Sequence, residues 1–288
     1  MLIEGGRAVG VVAGDRRVRA RREVILCAGA VKTPQLLMLS GVGPAEHLRE
    51  HGVDPLVDAP RVGQGLQDHP LVMLEWSTPG TRNLWEEATP ENMALWEREG
   101  RGPFASTGAE TIGFTRTREG LAAPDVQHGP LPGPAPDGLA LPDRRGVALL
   151  TIGLEVRSRG SVTLRSADPR AQPAIDPAYL ADDADLDVLE RGAELARRIA
   201  ATEPLAGLID GERTPPGDLR DRVGTAFHPA GSCAMGGDGA ALDPDLRVRG
   251  VDGLRVVDAS VMPALPRGNT NAPVIAVAER AADLIRLG

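Results

Sequence analysis

Apolar and polar positions follow two alternating rhythms along the 288 residues. Ala8-Val-Gly-Val-Val12 is apolar and β-branched, Gly14-Asp15 marks a turn, and Arg22-Glu-Val-Ile-Leu-Cys27 climbs into an apolar run. Residues 1–26 are therefore predicted as strands, a hairpin feeding an inner strand. At Thr33-Pro34 the pattern changes to helical: Thr33 is the predicted N-cap, Pro34 the first helical residue, and Gln35-Leu-Leu-Met-Leu39 the apolar face. Ser40-Gly-Val-Gly-Pro44 ends it, Ala45 to His51 forms a second short helix closed by Gly52, and Val53 to Val57 reads as a strand.

Further on, Val72 to Trp76 is a predicted strand and Pro90 to Arg98 a polar helix. Pro124 to Pro142 is a Pro/Gly-rich loop with the character of a lid. Val147 to Val156 and Ser161 to Arg165 read as strands of one antiparallel sheet, joined through Arg159-Gly160. Asp182 to Ala201 is the clearest helix, acidic in its first turns, with Leu186, Leu189, Leu195 and Ile199 spaced for one buried face. Near the end, Gly253-Leu-Arg-Val-Val-Asp258 is a buried strand ending in an acid, and Pro273 to Leu287 a helix with an apolar stripe. An aspartate in that place suits ligand contact at the carboxyl end of an α/β strand and suits a helix or turn cap equally well.

Composition narrows the partners. With 42% hydrophobic and 25% charged residues the chain buries one large or two ordinary cores. Aromatics are 2% of residues, so those cores are aliphatic, and 35 Gly with 25 Pro promise many defined turns. A net charge of −8 and a pI near 5.2 argue against nucleic acid or an anionic membrane as partner. Apolar runs such as Ala272 to Ala278 fall far short of the roughly 20 residues that span a bilayer. Two cysteines, Cys27 and Cys233, make no disulfide framework, and the first residues lack the features of a secretory signal. The expected setting is the cytoplasm.

Candidate chemistry centres on Thr225-Ala-Phe-His-Pro-Ala-Gly-Ser-Cys-Ala-Met-Gly-Gly237, where one histidine stands among small residues that leave room for a flat partner. Gly268-Asn-Thr-Asn-Ala-Pro273 offers a second polar group. A histidine at 228 that takes a proton near neutral pH, with an Asn269 amide that orients oxygen, suits removal of hydrogen from an alcohol.

Gly29-Ala-Val-Lys-Thr-Pro-Gln-Leu-Leu-Met-Leu-Ser-Gly-Val-Gly43 resembles the second signature of the glucose-methanol-choline (GMC) flavin oxidoreductases. Three more blocks agree in order: Val62-Gly-Gln-Gly-Leu-Gln-Asp-His69, Phe227 to Gly236, and Leu254 to Pro263 running into Gly268-Asn-Thr-Asn-Ala-Pro273. The resemblance implies an FAD cofactor and an alcohol substrate. It carries His228 over as the active-site histidine and Asn269 as the second active-site position, which members fill with histidine or asparagine. Ala28, Gly29, Asp258, Ala259 and Asn271 match cofactor-side positions. Gly65 departs from the usual asparagine, which weakens the case for a side-chain contact from that loop.

The implied fold is α/β (α+β). A partial FAD-binding domain spans 1–70, a substrate domain with an antiparallel sheet and covering helices spans 71–210, and 211–288 returns to the first domain. The resemblance also implies an N-terminal Gly-x-Gly-x-x-Gly loop for the FAD pyrophosphate. Here Gly41-Val-Gly43 and Gly63-Gln-Gly65 begin that pattern, but Glu46 and Asp68 stand at the third glycine. The chain therefore reads as the C-terminal part of a longer enzyme, with the missing FAD-binding segment on the same or a separate chain. A silent remnant of such an enzyme is an alternative. A second is zinc hydrolysis, because His47-Leu-Arg-Glu-His51 fits H-x-x-E-H with Glu50 as base.

Overall fold

A computed structural model describes residues 1–135, 143–214, 217 and 219–287. The chain first forms β1 (Leu2–Glu4), β2 (Arg7–Ala13), β3 (Arg16–Arg19), β4 (Val24–Leu26), α1 (Gly29–Leu39), β5 (Val42–Gly43), α2 (Ala45–Glu50), β6 (Val57–Asp58), β7 (Gln64–Leu66) and β8 (Pro70–Ser77). Next come α3 (Pro90–Glu99), β9 (Gly113–Thr115), β10 (Val126–Leu131), β11 (Gly146–Gly153), β12 (Gly160–Thr163), β13 (Ala174–Asp176), α4 (Asp183–Ala200), β14 (Gly224–Thr225), β15 (Leu254–Val256) and α5 (Asn271–Leu287). No helix among the described residues is long and apolar enough to cross a membrane.

Two compact units result: Met1–Asp68 with Ser158–Ala181 and Phe227–Gly288, and His69–Arg157 with Asp182–Ala226. The predicted division at 70 and 210 misses the middle excursion. Its cause is β12, expected to share a sheet with β11; instead it pairs antiparallel with β7 and β13, inside the first unit.

In the first unit β1, β2 and β3 form an antiparallel sheet. Gly10 is obligatory there, because a Cβ would lie 2.2 Å from the Val18 carbonyl oxygen. β4 and β15 run parallel, Val24 opposite Leu254 and Leu26 opposite Val256. Alternation sends Val24 and Leu26 into an aliphatic core with Leu37, Met38, Leu242 and Val261, while Ile25 points outward, 41% exposed. The strand predicted at Val53 to Val57 shrinks to β6, paired with β5.

Helix α1 opens at Gly29, four residues before the predicted Thr33 cap, and Pro34 lies inside it. Proline has no N–H to give the carbonyl four residues back. That carbonyl, on Ala30, accepts the Ser232 hydroxyl at 2.5 Å instead. A helix that would otherwise end at a proline thus continues, tied to the segment that carries His228.

The second unit is a five-stranded antiparallel sheet, order β14-β8-β11-β10-β9, with α4 packed on one face. β10 overturns part of the predicted Pro124–Pro142 loop; positions 136–142 lie outside the described residues. Pro130 is tolerated in it because β9 pairs only with Val126 to His128, so no ladder bond is lost on that side. On α4, Asp182 caps the Ala184 N–H. Leu186 and Leu189 are buried as predicted, but Ile199 is 37% exposed. Gly192, Ala193, Ala196 and Ala200 complete the buried face, since a Cβ at 192 would lie 2.7 Å from Thr151 Cγ2.

Glu75 on β8 is buried and held by Arg144 Nε at 2.9 Å, Arg213 at 3.0 Å and the Ala135 N–H at 3.1 Å. Burial pushes its carboxyl upward, but the two arginines outweigh that and hold it below the usual carboxylate range. A depressed carboxyl stabilises the fold above its unfolded pKa and loses that contribution as pH falls through the folded value. Glu75→Gln should cost on the order of 3 kcal/mol near neutral pH, because two arginines lose their counter-charge. The loss should shrink on acidification, and urea unfolding across a pH series reads both; an equal loss at every pH would deny the ion pairs that role.

Candidate active site

Within the first unit, His228 and Asn269, 41 residues apart in sequence, meet with Asn269 Nδ2 at 3.1 Å from His228 Nε2. His228 is buried and Asn269 is exposed. Burial lowers the imidazole's pKa, and the nearby Asp68 carboxylate opposes the shift only in part. The ring is thus neutral at neutral pH. With the Asn269 amide as donor, Nε2 carries the lone pair.

The surrounding backbone is fixed by groups far away in sequence. Asp68 Oδ1 accepts the His228 backbone N–H at 2.8 Å, and Asp68 Oδ2 accepts the Tyr179 hydroxyl at 2.5 Å. Phe227, at φ +61° and largely exposed, holds the left-handed turn that delivers His228. Gln67 exchanges backbone hydrogen bonds with Ala230, and its Oε1 accepts the Leu265 N–H at 3.1 Å. One glutamine therefore braces both the histidine segment and the approach to Asn269. From Gly231 to Met235 the chain donates N–H groups to the carbonyls of Ala259, Ser260 and Val261. Gln67 and Tyr179 did not stand out as individual residues in the sequence, and Asp68 stood out only as the acid that breaks the glycine pattern; the one signal near their role was the Val62 to His69 block that contains Gln67 and Asp68.

Asp258 is a cap. Its Oδ2 accepts the Gly29 N–H at 3.0 Å and the Thr33 hydroxyl at 2.6 Å, while Oδ1 accepts the Ser260 N–H at 2.8 Å and hydroxyl at 2.5 Å. Of the two readings left open for this acid, the geometry gives the cap, and any influence on a ligand passes through the backbone it holds. Ala259 gives its carbonyl to Gly231. Gly29 has φ +78° with open space where a Cβ would point, Ala28 is exposed, and Asn271 is the exposed first residue of α5. The Ala28-Gly29 surface is open to close approach, while the N–H groups of Ala28 and Gly29 are already given to Thr33 Oγ1 and Asp258 Oδ2.

A cleft of about 560 Å³ in this unit is lined by Gly65, Gln67, Gly231 and Pro263, with Arg61 and Arg159 at its walls. Gly65 has φ +78°, and the nearest atom to its missing Cβ is the Gly231 carbonyl at 3.8 Å. Side-chain contacts do come from this loop, at Gln67 and Asp68 rather than at position 65. Gly231 is more constrained, since a Cβ would meet Gln67 Nε2 at 2.7 Å.

His47, Glu50 and His51 bring their ligand atoms within 4.8 Å of one another. His47 Nε2, however, accepts the Leu164 N–H at 3.0 Å, and His51 Nδ1 lies 2.9 Å from the His47 carbonyl. With Nε2 so occupied, His47 keeps its proton on Nδ1 and offers a metal no lone pair. The cluster gathers no ligand from another element among the described residues. The zinc reading loses its geometric basis.

Two sequence profiles described as GMC oxidoreductase match residues 1–71 and 156–278. An uncharacterized GMC-type oxidoreductase of Mycobacterium tuberculosis is 43% identical over 99% of this chain and 58% of its own length. An oxygen-dependent choline dehydrogenase of Brucella canis is 39% identical over 99% of this chain and 56% of its own length. Among solved structures, an Aspergillus oryzae formate oxidase studied for its FAD modification superposes with a TM-score of 0.88 at 28% identity, covering 99% of this chain and 59% of that one. The chain spans somewhat over half the length of the relatives it matches.

Proposed function

Because this chain belongs to the GMC oxidoreductase family, we propose that it carries the proton-handling residues of an FAD-dependent enzyme that oxidises the CH–OH group of a small alcohol. One observation supports this most directly: a neutral, buried imidazole with its Nε2 lone pair 3.1 Å from a carboxamide that can orient oxygen. In this reading the alcohol oxygen first displaces the Asn269 amide from His228 Nε2, and the hydroxyl then gives its proton to the lone pair so freed. Asn269 holds the alcohol oxygen so that the carbon-bound hydrogen keeps one direction. Asp68 keeps the His228 backbone still through the step.

FAD, when bound, supplies the two-electron acceptor. The residues present fit part of it. The open turn at Ala28-Gly29 suits close approach of a ligand, the positive end of the α5 dipole at Asn271 suits its anionic groups, and the glycine-lined cleft suits a flat ring. A phosphate-wrapping glycine loop comes from elsewhere. Two features favour a further polypeptide that brings it. α5 is rich in apolar residues, yet Ala281 is its one buried residue, and β4 and β15 form a two-stranded parallel pair, an arrangement that is normally covered on both faces.

Joining the chain to the N-terminal segment of the mycobacterial relative tests the proposal. The purified product should bind FAD, and its yellow absorbance should bleach anaerobically with at least one of choline, benzyl alcohol or hexan-1-ol. A product that takes up no FAD would mark a silent remnant. One that binds FAD yet bleaches with none of the three would oppose alcohol oxidation.

A further inference from the structure

Among the described residues four that are not glycine adopt the left-handed backbone: Ala178, Leu180, Phe227 and Leu246. Three of them adjoin the two partners of one carboxylate. Phe227 precedes His228, whose N–H goes to Asp68 Oδ1 at 2.8 Å, and Ala178 and Leu180 flank Tyr179, whose hydroxyl goes to Asp68 Oδ2 at 2.5 Å. Left-handed backbone without glycine is strained and persists only where surrounding contacts over-determine it. The first unit supplies such contacts. β7 and β13 both pair antiparallel with β12, so they run in the same direction and leave the sheet at the same end. Asp68 stands two residues past β7 and Tyr179 three past β13. Strands two places apart lie about 10 Å from each other, a gap that a phenol and an aspartate bridge end to end. Asp176 Oδ1 takes the Ala178 N–H at 2.8 Å and the Ala178 carbonyl takes the Ala181 N–H at 3.1 Å, which pins the turn that aims the phenol.

A carboxylate held from one side rotates and can trade one oxygen for the other at the His228 N–H. The phenol removes that freedom, because Oδ2 is engaged. We propose that Tyr179 is a positioning residue for the reaction: it locks Asp68 in the orientation that holds the His228 backbone, and thereby fixes where His228 Nε2 points and its distance from Asn269. A base that is present but misdirected loses rate. This role rests on His228 as the proton acceptor, yet the imidazole reports it without turnover. Donation by the phenol also withdraws part of the Asp68 charge near the ring, so the strength of that one hydrogen bond is felt at His228.

Tyr179 is the single tyrosine of the sequence, so growth on 3-fluorotyrosine alters this one phenol, making it a stronger donor without removing its hydroxyl. The 288-residue chain is compared as parent, as Tyr179→Phe and with fluorotyrosine, each labelled with ¹⁵N-histidine and followed by NMR. His228 is assigned by its absence in His228→Gln. Its amide hydrogen should exchange at least about tenfold faster in Tyr179→Phe. The ring pKa should rise in Tyr179→Phe, where Asp68 keeps more of its charge, and fall in the fluorinated chain. His47, His51 and His128 should be unchanged, as the check on folding. In the FAD-loaded joined protein Tyr179→Phe should lower kcat about tenfold with KM within about twofold, and cost under about twofold once His228→Ala has removed the ring it directs. Amide exchange within about threefold of the parent, a ring pKa that the two changes leave unmoved or move the same way, or a kcat loss that persists in the His228→Ala background would each overturn the proposal. Should Tyr179→Phe fail to fold, the fluorinated chain carries the ring measurement, and an unmoved pKa in it is the overturning result. If no alcohol bleaches the joined protein, the alcohol reading fails and the NMR readouts still decide the role of Tyr179.

Discussion

In the FAD-loaded protein, His228→Ala should lower kcat by about 10²- to 10⁴-fold, the range general bases contribute, equivalent to about 3 to 5 kcal/mol of barrier. The expectation follows from the ring's environment. Burial lowers the His228 pKa, so the proton-accepting form dominates at neutral pH and is lost as pH falls through that lowered value. The parent's kcat/KM should therefore drop on the acid side, and the variant should lack that limb even where residual turnover is measurable. Asn269→Ala should cost about 10²-fold through misplaced oxygen while keeping the acid limb, because the base remains. Asn269→His, the alternative that relatives use, should recover part of the loss. Turnover of His228→Ala within about threefold of the parent, with an unchanged pH profile, would remove the base role.

Local pattern was enough for much of the fold. The β2–β3 hairpin, β4, β15 and α4 follow from alternation or helical spacing, and each is bounded by residues whose backbone preferences are strong. Three elements escaped, each for a physical reason. Pro34 looked like a helix start because proline suits the first turn; what extends α1 back to Gly29 is a hydroxyl from Ser232, a contact 202 residues away. β10 was hidden by Pro130, which is tolerated only because its neighbour strand is short. β12 was assigned to the wrong sheet because strand propensity says nothing about partners, and register with Gln64 and Leu66 chose β7.

For the site, residue chemistry alone singled out His228 and Asn269, while the family resemblance supplied their roles. The carboxylate that steadies them was not legible, since Asp68 acts on the His228 backbone across 160 residues. The same limit applies to Gln67, whose side chain reaches the Leu265 N–H from 198 residues away. Such ties leave no periodicity to read.

Asp258→Ala should be the most destabilising single change in the first unit. The buried carboxylate has four donors, and its loss strands the N–H groups of Gly29 and Ser260, while the Thr33 and Ser260 hydroxyls must find other acceptors. A stranded buried donor costs about 1 to 3 kcal/mol; Ser260 is fully buried and Gly29 half-buried, so with the two displaced hydroxyls a loss of about 3 to 5 kcal/mol is expected, in the tail of single-substitution effects. For a unit of this size that is a fall in Tm of about 10 °C or more. Asp258→Asn should lie between the two, because one oxygen still accepts from Ser260 while the amide nitrogen opposes the Gly29 N–H. FAD affinity should fall alongside stability, since the same carboxylate holds the Ala28-Gly29 turn in place. Scanning calorimetry and a cofactor titration on the three proteins separate these effects. A fall in Tm below about 3 °C for the alanine variant would mean that water replaces the carboxylate, and the junction between α1 and the end of β15 would then need another anchor.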